Sequence, residues 1–115
     1  MRGVRGAIVV PHDTREAVLD ATTRLVSAMM ERNALEPSDL VSVIFTATPD
    51  LRSAFPAAAA RRMGLTDVPL LCAAEIDVED AMARVVRVLM HVRADGEIPV
   101  THVYLDGAES LRDDP

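Results

Sequence analysis

Apolar and polar positions fall in short blocks punctuated by Pro, Gly and Asp, and the period of each block predicts its element. Residues 2–10, RGVRGAIVV, read as a strand that becomes β-branched towards its end and closes at Pro11. Asp13-Thr14-Arg15-Glu16 has the spacing of a capping box with Asp13 as the cap, so a helix is expected from Thr14 to about Asn33. Val18, Ala21, Leu25, Ala28 and Met29 give it one apolar face. Leu19, Val26 and Met30 give a second stripe, to be buried either within the chain or by a neighbouring subunit. After a turn at Glu36-Pro37-Ser38-Asp39, VSVIFTAT (Val41–Thr48) predicts a strand that Pro49 ends.

AAAARRM, entered through Phe55-Pro56 and followed by Gly64, predicts a short helix with proline in its first turn and glycine past its end. A third strand is expected at Val68–Ala73. Asp77, with Asp80 three positions on, predicts a last long helix over Val78–Ala94. There Asp80, Arg84, Arg87 and His91 would share a polar stripe, and Ala81, Val85, Leu89 and Val92 an apolar one. Asp95-Gly96 reads as a turn and Val100–Asp106 as a fourth strand. The order β-α-β-α-β-α-β predicts an α+β fold, a mixed four-stranded sheet with helices packed on it, in a single domain over residues 1–115.

Composition narrows the function classes. The chain has 115 residues and only 3% aromatics, so its core must come from aliphatic side chains and would gain from self-association. A net charge of −6 argues against general nucleic-acid binding, which needs a basic surface, but leaves room for a small anion where positive charge is focused. All 12 basic residues are Arg, which excludes lysine Schiff-base chemistry. The lone Cys72 can form no intrachain disulfide, AIVV is too short for a signal-peptide core, and no run is long enough to span a bilayer. A cytoplasmic protein is the default expectation.

From the residues alone, chemistry stays open. Asp80 and Arg84 suit a solvated helix pair worth a few tenths of a kcal/mol. Cys72 reads as a small buried hydrophobe, Glu75 as a charge at a strand end, and Tyr104, between Val103 and Leu105, as a core or edge aromatic. His12, His91 and His102 are isolated, with no metal-ligand spacing, and RGVRG lacks the lysine and following helix of a phosphate loop.

Several stretches together resemble the trimeric class of monofunctional chorismate mutases. They are RGVRGA, TATPDL (Thr46–Leu51) with AFPA (Ala54–Ala57), VPLLCAAEIDV (Val68–Val78), VRVLMHV (Val86–Val92) and HVYLDGAESLR (His102–Arg112), in the family's order across nearly the whole chain. The resemblance implies an intertwined homotrimer forming a pseudo-α/β-barrel, with active sites between adjacent subunits. It implies conversion of chorismate to prephenate by an intramolecular Claisen rearrangement, without metal or cofactor.

It also implies roles, carried over by motif. Arg87 would donate to the ether oxygen and a carboxylate, and Arg5 would hold substrate groups on the hydroxyl and ether side. Glu75 and Cys72 would meet the ring hydroxyl, and Tyr104 a carboxylate or the ether-side oxygens. Phe55 and Ala57 would wall the ring from the adjacent subunit, Arg61 would stand near the entrance, and Leu111 and Arg112 would close over the site. Arg2 is left to structure or the interface.

Two departures bear on KM more than on chemistry. Ala58 stands where the family often has Lys, and the sequence runs only three residues past Arg112. The competing readings are a non-catalytic carboxylate-binding or regulatory trimer of the same architecture, which Ala58 favours, and a trimeric enamine/imine deaminase.

Overall fold

The computed structural model describes residues 1–93 and 99–113; the turn expected at Asp95-Gly96 lies outside them. Strand β1 (Arg2–Val9) leads to helix α1 (Arg15–Arg32) and, after a 3-10 turn at Pro37–Asp39, to β2 (Leu40–Ala47). Helix α2 (Ala57–Arg62) precedes β3 (Leu70–Ala74), β4 (Val85–Val92) and β5 (Val103–Leu105), and a 3-10 segment (Ala108–Asp113) follows. The strands form one five-stranded sheet in the order β3-β2-β4-β1-β5. It is mixed, as expected: β4 runs antiparallel to β1 and β2, while β3 and β5 lie parallel to β2 and β1.

The expected last helix is the main correction, because VVRVLMHV is the central strand β4. Its valines carry both a helical period (Val85, Leu89, Val92) and a strand period (Val86, Val88, Met90, Val92), and the strand period matches the buried positions. Asp80 and Arg84 hold φ of 64° and 53°, left-handed values that no continuous helix tolerates. The Asp80–Arg84 helix pair therefore gives way to other partners. The Arg84 N–H donates to the Asp50 carboxylate, and its Nε donates to the Val10 carbonyl at 2.9 Å. Among the described residues the sheet thus has five strands rather than four, and two α-helices cover it.

A smaller correction concerns the first cap. Thr14, not Asp13, caps α1, its Oγ1 accepting from the Ala17 N–H at 3.1 Å. Asp13 instead accepts from the N–H groups of Arg52 and Ser53, tying the loop before α2 to the start of α1. Gly64 closes α2 at φ 90°, as its position predicts.

Both helices lie on one face of the sheet. Val4, Ile8, Val43, Phe45, Val86, Val88 and Met90 point into a core closed by Val18, Leu25 and Met29 of α1. Of the second stripe, Leu19 and Val26 are buried in the same chain and Met30 packs, partly buried, against that core. A Cβ on Gly6 would stand 2.5 Å from Met29 Sδ, so a larger residue there would force the buried Met29 side chain of α1 to shift.

Candidate functional site

Directly paired residues of neighbouring strands share a face, so the register fixes what the uncovered face carries. One row across it reads Ala73, Thr46, Arg87, Ala7 and Tyr104, from β3, β2, β4, β1 and β5. The next row reads Leu71, Ile44, Leu89 and Arg5. Arg5 and Arg87 are therefore diagonal neighbours on adjacent strands. Small Ala7, between Arg87 and Tyr104, leaves room above the row.

That room is a concavity of about 240 Å³, whose lining includes Arg5, Ala7, Thr46, Arg87, Tyr104 and Leu111. Two guanidinium groups and a phenol thus stand over an apolar floor, an arrangement that focuses positive charge in a chain of net charge −6. Leu111 comes from the C-terminal 3-10 segment, which is anchored by Ala108 against Ala7 and Val85, with Tyr104 and Met82 packed beside it.

Glu75 completes this cluster. It follows β3, its N–H donates to the Ala47 carbonyl at 3.0 Å, and its side chain is only 15% exposed. The carboxylate accepts from the Thr46 hydroxyl at 2.7 Å, and the same oxygen stands 3.6 Å from Arg87 Nε. The N–H of Arg5, in the middle of β1, donates to His102 Nδ1 at 3.0 Å, which joins β1 to the approach of β5.

The remaining expected site residues lie elsewhere in the chain. Cys72 pairs with Phe45 in the β2–β3 register and so falls on the helix-covered face. It lines a groove of about 590 Å³ with Phe45, Leu51, Phe55, Ala58 and Ala74. Phe55 is 72% exposed there, whereas Ala57 at the start of α2 is buried in the core. Arg61 is exposed on the last turn of α2, and Arg112 is exposed on the C-terminal 3-10 segment. A single chain therefore brings Arg5, Arg87, Glu75, Tyr104 and Leu111 together and holds Cys72 and Phe55 on the opposite side of the sheet.

Thr46 was not singled out from the sequence, although it is the first residue of the quoted TATPDL stretch. The usable signal is alternation: in VSVIFTAT the polar residues Ser42 and Thr46 share strand parity with Ile44, away from buried Val43 and Phe45.

The family model for chorismate mutase type I matches residues 1–115. The chorismate mutase AroH of Thermus thermophilus is 48% identical over 116 aligned positions, covering 99% of this chain and 95% of its own. AroH of Bacillus subtilis is 40% identical over 116 positions, covering 99% of this chain and 91% of its own. A chorismate mutase structure from Clostridium thermocellum superposes with a TM-score of 0.93 at 44% identity, covering 96% of this chain and 100% of that chain.

Proposed function

The chain belongs to the type I chorismate mutase family and is a chorismate mutase, an isomerase of aromatic biosynthesis; from that premise we propose how its residues carry the reaction. Chorismate is a dianion that rearranges to prephenate within one molecule. The protein has to hold its compact conformer and stabilise the charge that grows on the ether oxygen as the C–O bond breaks. Arg87 donates to that oxygen and to a carboxylate, its planar fork meeting both. Arg5 holds substrate groups on the hydroxyl and ether side, Tyr104 a carboxylate or the ether-side oxygens, and Glu75 accepts from the ring hydroxyl. The arginines supply electrostatics and the apolar floor supplies shape, so no proton transfer to or from the protein is required.

The observation that carries this reading is the convergence of Arg5, Arg87 and Tyr104 on one concavity from three strands. The division of the other residues supports sites shared between copies of the chain in a homotrimer. The helix-free face is incompletely covered in one chain, with Leu71 60% exposed, and Phe55 projects from the other side at 72%. In the trimer the sheets pack into a pseudo-α/β-barrel, one subunit presents Arg5, Arg87, Glu75 and Tyr104, and its neighbour presents Phe55 and Cys72 around the ring, while Ala57, buried in the core, supports Phe55 from within. Arg61 stands at the entrance, and Leu111 and Arg112 close over the bound substrate. Each subunit is one domain over residues 1–115, acting in the cytoplasm.

The test follows loss of chorismate absorbance, with prephenate confirmed as phenylpyruvate after acid treatment. Saturable turnover is expected, and Arg87→Ala should lower kcat by roughly 10²–10³, the cost of losing one donor to a developing oxyanion. Near-native kcat in a folded Arg87→Ala protein would refute the role of Arg87.

A further inference from the structure

The motif residue that none of these roles absorbs is Thr46. It faces Arg87 directly across the β2–β4 pair, on the uncovered face of the sheet. Its Oγ1 donates to Glu75 Oε2 at 2.7 Å, and that oxygen is also the one nearest Arg87 Nε, at 3.6 Å. Thr46 lines the concavity with Arg5, Arg87 and Tyr104, and also the adjoining space with Glu75, Met82 and Leu111.

From this geometry we infer that Thr46 is a positioning residue for Glu75 and, through it, for Arg87. The hydroxyl and the guanidinium address one carboxylate oxygen, and the hydroxyl is the closer by 0.9 Å, the difference between 3.6 and 2.7 Å. Glutamate has several rotatable bonds and would otherwise close on the arginine as a charge-assisted pair, which is short and often bidentate. Such a closed pair would turn the guanidinium fork towards Glu75 and pull the carboxylate from the place where it meets a ring hydroxyl. A strand position suits the task, since Thr46 is fixed by ladders on both sides, to β3 and to β4. The β-branched side chain has few rotamers, so the hydroxyl direction is set by the sheet.

The inference rests on the roles proposed for Glu75 and Arg87, and the experiment separates the two. Steady-state kcat and KM are measured for Thr46→Val, Thr46→Ser, Glu75→Gln and the double variant Thr46→Val/Glu75→Gln, with fold and oligomeric state followed by circular dichroism and sedimentation. Thr46→Val keeps shape and removes the hydroxyl; it should lower kcat/KM by about tenfold or more, the scale of a hydrogen bond to a charged group. The loss should fall mainly on kcat, and Thr46→Ser should recover most of it. The double variant should be no slower than Glu75→Gln alone, because the hydroxyl acts only through the carboxylate.

Near-native Thr46→Val beside an impaired Glu75→Gln would overturn the inference and leave the proposed role of Glu75 standing. So would additive losses in the double variant, or Thr46→Ser as slow as Thr46→Val. Native kinetics in Glu75→Gln would overturn both.

Discussion

Arg24 on α1 and Asp106 at the end of β5 grip each other in fork geometry, Nη1 to Oδ2 at 2.5 Å and Nη2 to Oδ1 at 3.3 Å. Asp106 holds φ 51° and Gly107 φ 99°, and these two residues turn the chain into the 3-10 segment that carries Leu111 and Arg112. The pair thus anchors to α1 the segment proposed to close over the substrate.

The Arg24 guanidinium, through its hydrogen bond first and its charge second, holds the Asp106 carboxyl below the usual carboxylate range, and Arg24 is raised in turn. A depressed carboxyl contributes stability in full above its unfolded-state value, about 4, and loses it as pH falls through the lower folded-state value. Both side chains are more than a third exposed, so screening keeps the pair to about 0.2–1 kcal/mol. The stability gap between the native protein and Asp106→Asn should therefore be open at pH 7 and close as pH falls below about 4, read by denaturant titration at each pH. The same variant should raise KM for chorismate by roughly two- to fivefold with little change in kcat. A gap that widens in acid, or an unchanged KM, would show that the pair does not hold the segment.

The start of β4 depends on a second set of contacts, built by Thr48 and Asp50. The Val85 N–H donates to Thr48 Oγ1 at 3.0 Å, the Thr48 N–H returns to the Val85 carbonyl at 3.1 Å, and the Thr48 hydroxyl donates to Asp50. Asp50 then accepts from the N–H of Arg84, the last left-handed residue before the strand. Thr48 is buried, so Thr48→Val strands the Val85 N–H and should cost about 1–3 kcal/mol by chemical denaturation. Thr48→Ser should cost less. Because Arg87 lies two residues beyond Val85, kcat should fall with stability in Thr48→Val; unchanged kcat would separate the clamp from the site.

Most of the fold is legible in residues whose local signal and tertiary environment agree. β1, α1, β2 and α2 lie within a residue or two of their expected bounds because Pro11, Pro49, Pro56 and Gly64 punctuate them and their apolar periods are unambiguous. β4 is not legible by period alone. Val85, Leu89 and Val92 fit a helical period as well as Val86, Val88, Met90 and Val92 fit a strand period, and only the burial along the folded strand, which alternates from Val86 on, decides between them. The site divides along the same line. Motifs point to Arg5, Arg87, Glu75 and Tyr104, but that they share one face follows only from β4 being a strand between β1 and β2. Thr46 escaped because a strand threonine is ordinary until its hydroxyl partner, 29 residues away, is known.

Gly6 tests how tightly α1 is seated on the sheet. A methyl group there would meet Met29 Sδ at 2.5 Å and Leu25 Cδ1 at 3.1 Å, inside normal contact distance. Gly6→Ala should destabilise by about 1–3 kcal/mol, as overpacking does, with thermal unfolding as the readout. Met29→Ala added to Gly6→Ala should cost less than the sum of the two single losses, since the two sites share one space; strict additivity would mean that α1 simply shifts.

The proposed sharing of sites between subunits of a trimer makes a prediction that no single-chain site can mimic. On that proposal Arg87→Ala should disable the half-site on the uncovered sheet face, and Phe55→Asp should place a carboxylate in the opposite half-site, where it would repel a dianion. Phe55 projects into solvent in the single chain, so the second change should leave the fold intact. Each variant alone should be nearly inactive. Co-expressed at equal levels with random mixing, they should recover about a quarter of native activity, because a cyclic trimer then pairs an intact half from each variant at about one interface in four. No recovery in verified mixed trimers would mean that each chain carries its whole site. Recovery near the predicted level would assign Arg87 and Phe55 to opposite sides of one subunit boundary.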